Sequence, residues 1–182
     1  VYPRTERGSI PITIATGGTP ESSLKAGALG LPITYAIIGG DPKRFRRNID
    51  MYKSIAESYG HNVNELSIGT HSWGYIAETD EQAKREFFPS VKASHDILAK
   101  ERGWPMYDEN SFEREAGPKG ALYVGSPETV AQKIIETIEA LGITRFMLHT
   151  PVGSMPHENT INTIKLLAER VKPIVDKYFE NK

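Results

Sequence analysis

Four short runs rich in β-branched residues recur along the chain, and each is followed by a stretch with helical periodicity. The runs are "IPITIAT" (10–16), "LPITYAII" (31–38), "LSIGTHSWGYIAE" (66–78) and "ITRFMLHT" (143–150). The segments between them are too long for hairpins. A strand that rejoins its sheet after a helix runs parallel to its predecessor, through a right-handed crossover. No linker or composition break interrupts the alternation, so it predicts one α/β domain over residues 1–182 with a parallel sheet.

Proline and glycine punctuate the helices. Pro20 suits the first position of a helix running to about Leu29 and closed by Gly30. Pro32 stands first in the second strand, where a missing N–H is tolerated. Asp41 caps the next helix, with Pro42 in its first turn and Gly60 after its end. Phe45, Ile49, Tyr52, Ile55, Ala56 and Tyr59 share one face of it and read as core. The third strand contains Gly69 and Gly74, and a bend is expected at one of them. Thr79 opens a long helix to about Arg102, and another runs from Pro127 to Leu141 before Gly142. The last spans about His157 to Phe179, kinked or split by Pro173. Residues 103–124 mix Pro, Gly and charge. They read as an irregular excursion, long enough to be functional or inserted.

Composition excludes several classes. A net charge of −1 gives no electrostatic footprint for nucleic acid or an anionic membrane. The absence of cysteine rules out disulfides and thiolate metal sites, and favours a reducing cytoplasm. No apolar run reaches the roughly 20 residues of a membrane span. No charged-then-apolar leader opens the chain. The first residue is Val1 rather than Met, which reads as a cut end.

One phrase occurs twice. Gly18-Thr19-Pro20-Glu21-Ser22 and Gly125-Ser126-Pro127-Glu128-Thr129 both open helices that close on Ala-Leu-Gly. Thr19 and Ser126 read as N-caps, the prolines suit the first turn, and the glutamates suit the positive end of the dipole. The first phrase carries more, because Gly17 and Gly18 lie at the carboxyl end of a strand, where ligands bind in parallel α/β folds. The amides of Gly18, Thr19, Glu21 and Ser22 are placed to converge on a phosphate, with the Thr19 and Ser22 hydroxyls beside them. A Glu21 carboxylate turned onto those amides would oppose an anion. The phrase lacks the lysine of a P-loop and the glycine spacing of a dinucleotide fold.

Parallel strands place their carboxyl ends on one rim. That rim gathers Gly39 and Gly40, His71 and Trp73, and His149, besides the first loop. His71, Trp73 and His149 are therefore pocket candidates for a flat, hydrogen-bonding ligand. Each also has a plainer reading, as a backbone-satisfied histidine or a packing indole. No metal-ligand spacing and no nucleophile elbow accompany them.

The stretches "IPITIATGGTPESSLKAGALGLPITYAIIGGDPKRF", "GYIAETDEQAKREFFP", "GALYVGSPETVAQKI" and "FMLHTPVGSMPHENTINTIKLLAERVKPIV" closely resemble the carboxyl-terminal half of bacterial luciferase-like flavin-dependent monooxygenases. The resemblance runs from about Ile10 to Tyr178. It implies four consecutive βα units forming the second half of a (β/α)8 TIM barrel. It also implies reduced FMN as cofactor, or F420 in one branch as the alternative, with a small organic substrate and O2. A separate NAD(P)H-dependent flavin reductase is an implied partner. Carried onto this chain, the phosphate loop is Gly17, Gly18 and Thr19, with Ser22 nearby. No catalytic acid or base is assigned. Relatives are roughly twice as long, so this length is expected to be inactive alone, and its exposed strand edges predict a homo-oligomer. A non-catalytic phosphate-binding or interaction half-barrel is the alternative outside enzymes.

Overall fold

The computed structural model describes residues 2, 4–6, 8–103 and 105–182; Val1, read from sequence as a cut end, lies outside them. The strands are β1 (Ile14–Thr16), β2 (Ile33–Ala36), β3 (Ile68–Ile76), β4 (Tyr123–Gly125) and β5 (Arg145–His149). The helices are α1 (Pro20–Ala28), α2 (Arg46–Ser58), α3 (Asp80–Arg102), α4 (Glu109–Ala116), α5 (Pro127–Leu141), α6 (His157–Leu166) and α7 (Lys172–Glu180). Every strand pairing is parallel, as the crossover argument requires.

The long strand β3 organises the sheet. β2 pairs with its first half, Ile68–His71, and β5 with Gly69–Trp73. Beyond them β4 pairs with Gly74–Ile76. β1 joins only β2, and β5 joins only β3, so the sheet is open at both ends among the described residues. One face is sealed by α1 and α2, with Ala26, Ile33, Tyr35, Ile49 and Tyr52 all at 0% exposure. On the opposite face Thr34, Ala36, His71, Trp73, Met147 and His149 remain half-buried. This is the arrangement of half a TIM barrel: α1 and α2 outside, and an unclosed lumen inside, against which α3 packs at the Trp73–Tyr75 end of β3. Two further clusters pack α3 and α4 on Tyr75 and Leu122, and α5 and α6 on Ile76 and Tyr123.

Two expectations need correction. The first strand begins at Ile14 rather than Ile10, and Ile10 and Ile12 are exposed. Pro11 lies in that lead-in and has no N–H to give a neighbouring strand. The excursion at 103–124 is not irregular throughout: Asp108 accepts from the Ser111 amide and starts α4, and β4 begins at Tyr123. β3 runs unbroken from Ile68 to Ile76, and at Gly74 its partner changes from β5 to β4. The expectation at Pro173 holds. A π turn over Leu167–Val171 separates α6 from α7, because the proline ring cannot share space with the carbonyl one turn earlier.

Candidate functional site

The rim is built from loops that leave the strand ends. After β1 the chain turns through Gly17 and Gly18 into α1. Gly18 has φ +102, and a Cβ there would stand 2.5 Å from Cε1 of Phe45. Its lack of a side chain therefore serves packing, rather than the approach of a ligand. Its N–H donates to the Thr16 hydroxyl at 3.1 Å, and its carbonyl accepts from the Asn48 amide group at 2.5 Å. A Cβ on Gly17, in contrast, would meet nothing within 4 Å, and Gly17 is exposed. The segment supplying Phe45 and Asn48 reads Lys43-Arg44-Phe45-Arg46-Arg47-Asn48, so cationic residues flank the loop's two contacts.

The two copies of the repeated phrase differ in what occupies their amides. At the second, the Ser126 hydroxyl accepts from the Thr129 amide at 3.3 Å, as the cap reading expects. Asp80, at the start of α3, adds two further bonds. One of its carboxylate oxygens accepts from the Ser126 N–H at 2.6 Å and the other from the Thr129 hydroxyl at 3.0 Å. Burial alone would raise the Asp80 pKa, but these bonds outweigh it and hold the carboxyl below its ordinary value. Nothing in the spacing of the chain pairs residue 80 with residue 126, so this plug was invisible in the sequence.

At the first phrase no such plug occurs among the described residues. Thr19 does not cap α1; its hydroxyl bonds the Ser22 hydroxyl at 2.8 Å instead. Among the described residues the amides of Gly17, Thr19, Glu21 and Ser22 have no hydrogen-bond partner, and Glu21 is exposed with no bond back to the loop. Of the four amides proposed from sequence, three are thus open, and the Gly18 amide is replaced in that set by Gly17.

The pocket candidates lie on the lumenal face. Strand register sets His71 beside Met147 and Trp73 beside His149. The His71 and His149 rings meet edge to face, with centroids 5.2 Å apart. Burial, and then the neighbouring imidazole, lower the His71 pKa from its ordinary value. Trp73 meets His95 of α3 edge-on at 5.4 Å, and His95 stacks on Tyr107 at 4.3 Å. The loop at Gly17–Thr19 and the histidine pair are separate features, with no hydrogen bond or ring contact joining them among the described residues. No group of three or more His, Cys, Asp or Glu capable of holding a metal occurs among the described residues.

Sequence reasoning also missed Lys133 of α5. Its ammonium is buried and donates to the carbonyls of Gly117 at 2.6 Å and Leu122 at 2.7 Å. Burial pushes its pKa down to about 8, against the pull of Glu115 and Glu136. Glu115 meanwhile accepts from the amides of Gly40 and Ala121, each at 3.3 Å, so α4 is tied to the rim loop after β2.

The model of the luciferase-like monooxygenases matches residues 1–145. The chain belongs to that family. A search of curated proteins finds no match. Among solved structures, the chain is similar to the monooxygenase RslO1 of Streptomyces bottropensis, at 25% identity and TM-score 0.77, over 94% of this chain and 50% of that one. The FMN complex of the oxygenating constituent of 3,6-diketocamphane monooxygenase from Pseudomonas putida shares 19% identity, with TM-score 0.63, over 90% of this chain and 48% of that one. The F420-dependent tetrahydromethanopterin reductase of Methanopyrus kandleri shares 19% identity, with TM-score 0.61, over 90% of this chain and 50% of that one. The chain thus spans about half the length of these solved structures. No helix among the described residues is long and apolar enough to cross a membrane.

Proposed function

We propose that this chain is the cofactor-phosphate half of a luciferase-like flavin monooxygenase acting on a small organic substrate with O2. The observation that carries the reading is the contrast between the two phrases: amides open at Gly17, Thr19, Glu21 and Ser22, against a second start where Asp80 accepts from the Ser126 amide and the Ser126 hydroxyl from the Thr129 amide. The family membership supports reading the open one as a phosphate cradle.

In this reading the Gly17, Thr19, Glu21 and Ser22 N–H groups bind the phosphate, with the Thr19 and Ser22 hydroxyls as further donors. The α1 dipole adds its positive end to the same point. Thr16 and Asn48 hold the loop in shape through Gly18, so the donors are oriented before an anion arrives. His71, Trp73 and His149 line the lumen, where they exclude water and orient the ring and substrate. Reduced flavin, when bound, supplies the electrons with which O2 is activated and one oxygen atom is transferred. A flavin reductase delivering reduced cofactor is the natural partner. The lack of cysteine supports a reducing cytoplasm as its setting.

The whole activity belongs to a closed barrel. The unpaired outer edges of β1 and β5 support association with further strands, another copy of this chain being the simplest source. Light scattering that finds a stable monomer of 20.2 kDa would remove that part of the reading.

F420 is the second reading, favoured by the likeness to an F420-dependent reductase. Anaerobic titration of the chain with FMN and with F420, followed by cofactor fluorescence, separates the two. FMN saturating first supports the monooxygenase. Saturation by F420 alone moves the chain to the deazaflavin branch, and silence from both favours a non-catalytic half-barrel.

A further inference from the structure

The strands that line the lumen stand in the order β1, β2, β3, β5, all parallel, while β4 joins only the far end of β3. They make up half the number that a closed (β/α)8 barrel needs. One edge of this half-sheet is β1 and the other is β5, so each offers a row of unpaired N–H and C=O groups. Each edge also carries apolar residues that the rest of the described chain leaves bare. Ahead of β1, Ile10 and Ile12 are 65% and 58% exposed. They alternate with Ile14, which packs into the cluster under α1 and α2; in an extended lead-in that alternation puts all three on the helix side. After β5, helix α6 exposes Ile161 and Ile164, three positions apart on one face, at 37% and 47%. In a barrel the helix after a strand packs outside, over the way to the next strand. Beyond β5 there is no next strand among the described residues.

We propose that two copies of this chain close one eight-stranded barrel about a twofold axis, each β1 pairing in parallel with β5 of the other copy. This rests on the association proposed above for the strand edges, and it names the partner and the seam. Joining β1 to β1, or β5 to β5, would satisfy one edge of each copy and leave the other bare. Joining β1 to β5 uses every edge at once. The twofold makes the two seams identical, so the assembly closes instead of growing into a filament. The seam also brings the apolar patches together. Helix α6 of one copy, with Ile161 and Ile164, lies over the lead-in to β1 of the other, with Ile10 and Ile12. The lumen is completed in the same step. His71, Trp73 and His149 are half-buried along an open wall, and the second copy supplies the wall that faces them. The cofactor site is therefore incomplete without the second copy, although each keeps its own open amides at Gly17, Thr19, Glu21 and Ser22.

The test uses the 182-residue chain, whose lack of cysteine makes any introduced thiol unique. Light scattering at micromolar concentration is expected to give twice 20.2 kDa. Ala15 of β1 and Arg145 of β5 are exposed, and the register through Thr34 and Gly69 sets them at one level of the sheet. Ala15→Cys and Arg145→Cys chains are therefore treated with a bismaleimide of about 10 Å, which spans neighbouring strands and a slip of a residue or two. Neither variant alone is expected to cross-link to itself, and the co-expressed pair is expected to give a covalent dimer. Ile12→Lys and Ile164→Lys, each with an unchanged far-ultraviolet circular dichroism spectrum, are expected to weaken the dimer at least about tenfold. Tyr59→Lys, at an exposed position after α2 and away from both edges, is expected to leave it unchanged. A monomer or an open series of oligomers, cross-links within either cysteine variant alone, or none in the co-expressed pair overturns the proposal. So does weakening by Tyr59→Lys equal to that by Ile12→Lys and Ile164→Lys, or no weakening by either isoleucine variant. FMN binding is measured on the same samples by flavin fluorescence. Closed dimers that ignore FMN would sink the phosphate reading and leave the seam in place. FMN binding by a chain that stays monomeric would sink the seam alone.

Discussion

Gly17 and Gly18 are adjacent, yet substituting them is expected to have opposite consequences. In Gly18→Ala the new Cβ stands 2.5 Å from one Phe45 carbon and 3.2 and 3.3 Å from two more, on a backbone at φ +102. The backbone conformation costs about 1–3 kcal/mol for an L side chain. Moving an aromatic ring aside costs a further ~1–3 kcal/mol. The sum, about 2–6 kcal/mol, lowers the melting temperature of a chain this size by roughly 4–24 °C. In Gly17→Ala the Cβ meets nothing within 4 Å and the backbone is unstrained, so stability changes by less than about 0.5 kcal/mol. The methyl group instead enters the space in front of the open amides, and FMN affinity falls at least about tenfold, or ~1.4 kcal/mol. Thermal unfolding by circular dichroism and FMN titration by fluorescence measure the two effects on each variant. Equal destabilisation by both alanines would refute the packing argument for Gly18. Undiminished FMN affinity in a well-folded Gly17→Ala would refute the role of the loop.

Other consequences follow from the buried polar groups. Asp80→Asn keeps an acceptor for the Ser126 N–H but loses its charge, and is expected to cost about 1–2 kcal/mol at neutral pH in urea unfolding. Because the folded pKa of Asp80 lies below 3.8, its contribution is present above that value and lost as pH falls through the folded pKa; the gap between wild type and variant closes there. Lys133 titrates near 8 when folded and at 10.5 when unfolded, so the unfolded chain binds more protons in between and Lys133 makes stability rise with pH across that window. Lys133→Met removes that slope and leaves the Gly117 and Leu122 carbonyls unpaired, a loss of about 2–4 kcal/mol at pH 7 by chemical denaturation. His71 is lowered below 6.5, so the stability tied to its neutral form is present above 6.5 and lost as pH falls; its NMR titration midpoint is expected to rise in His149→Gln, which removes the neighbouring imidazole.

The legible parts of this fold were those written in local pattern. β-branched runs, Pro20, Pro127 and Gly142 marked real element ends, and the alternation of strand and helix fixed parallel pairing. His149 does end β5 at the rim, but β3 runs on to Ile76, so His71 and Trp73 stand within the strand on the lumenal face rather than at its carboxyl end. What stayed hidden was every feature that depends on residues distant in sequence. Asp80 seals a helix whose cap lies 46 positions away, Phe45 fills the space that makes Gly18 a glycine, and Lys133 reaches the end of α4. Helix α4 was hidden for a different reason: eight residues flanked by Pro and Gly carry too little periodicity to stand out from a loop. Thr19 shows the limit of motif reading. It has the right type at the right place, yet its hydroxyl takes Ser22 as partner and leaves the first-turn amides bare.

Two near-identical helix starts in one chain provide an internal control for the whole account. Amide NMR spectra of the 182-residue chain titrated with FMN would follow both at once. Progressive shifts at Gly17, Thr19, Glu21 and Ser22, with Ser126 and Thr129 still, are the result predicted here. Shifts confined to Ser126 and Thr129, or none at either start under saturating FMN, would contradict it.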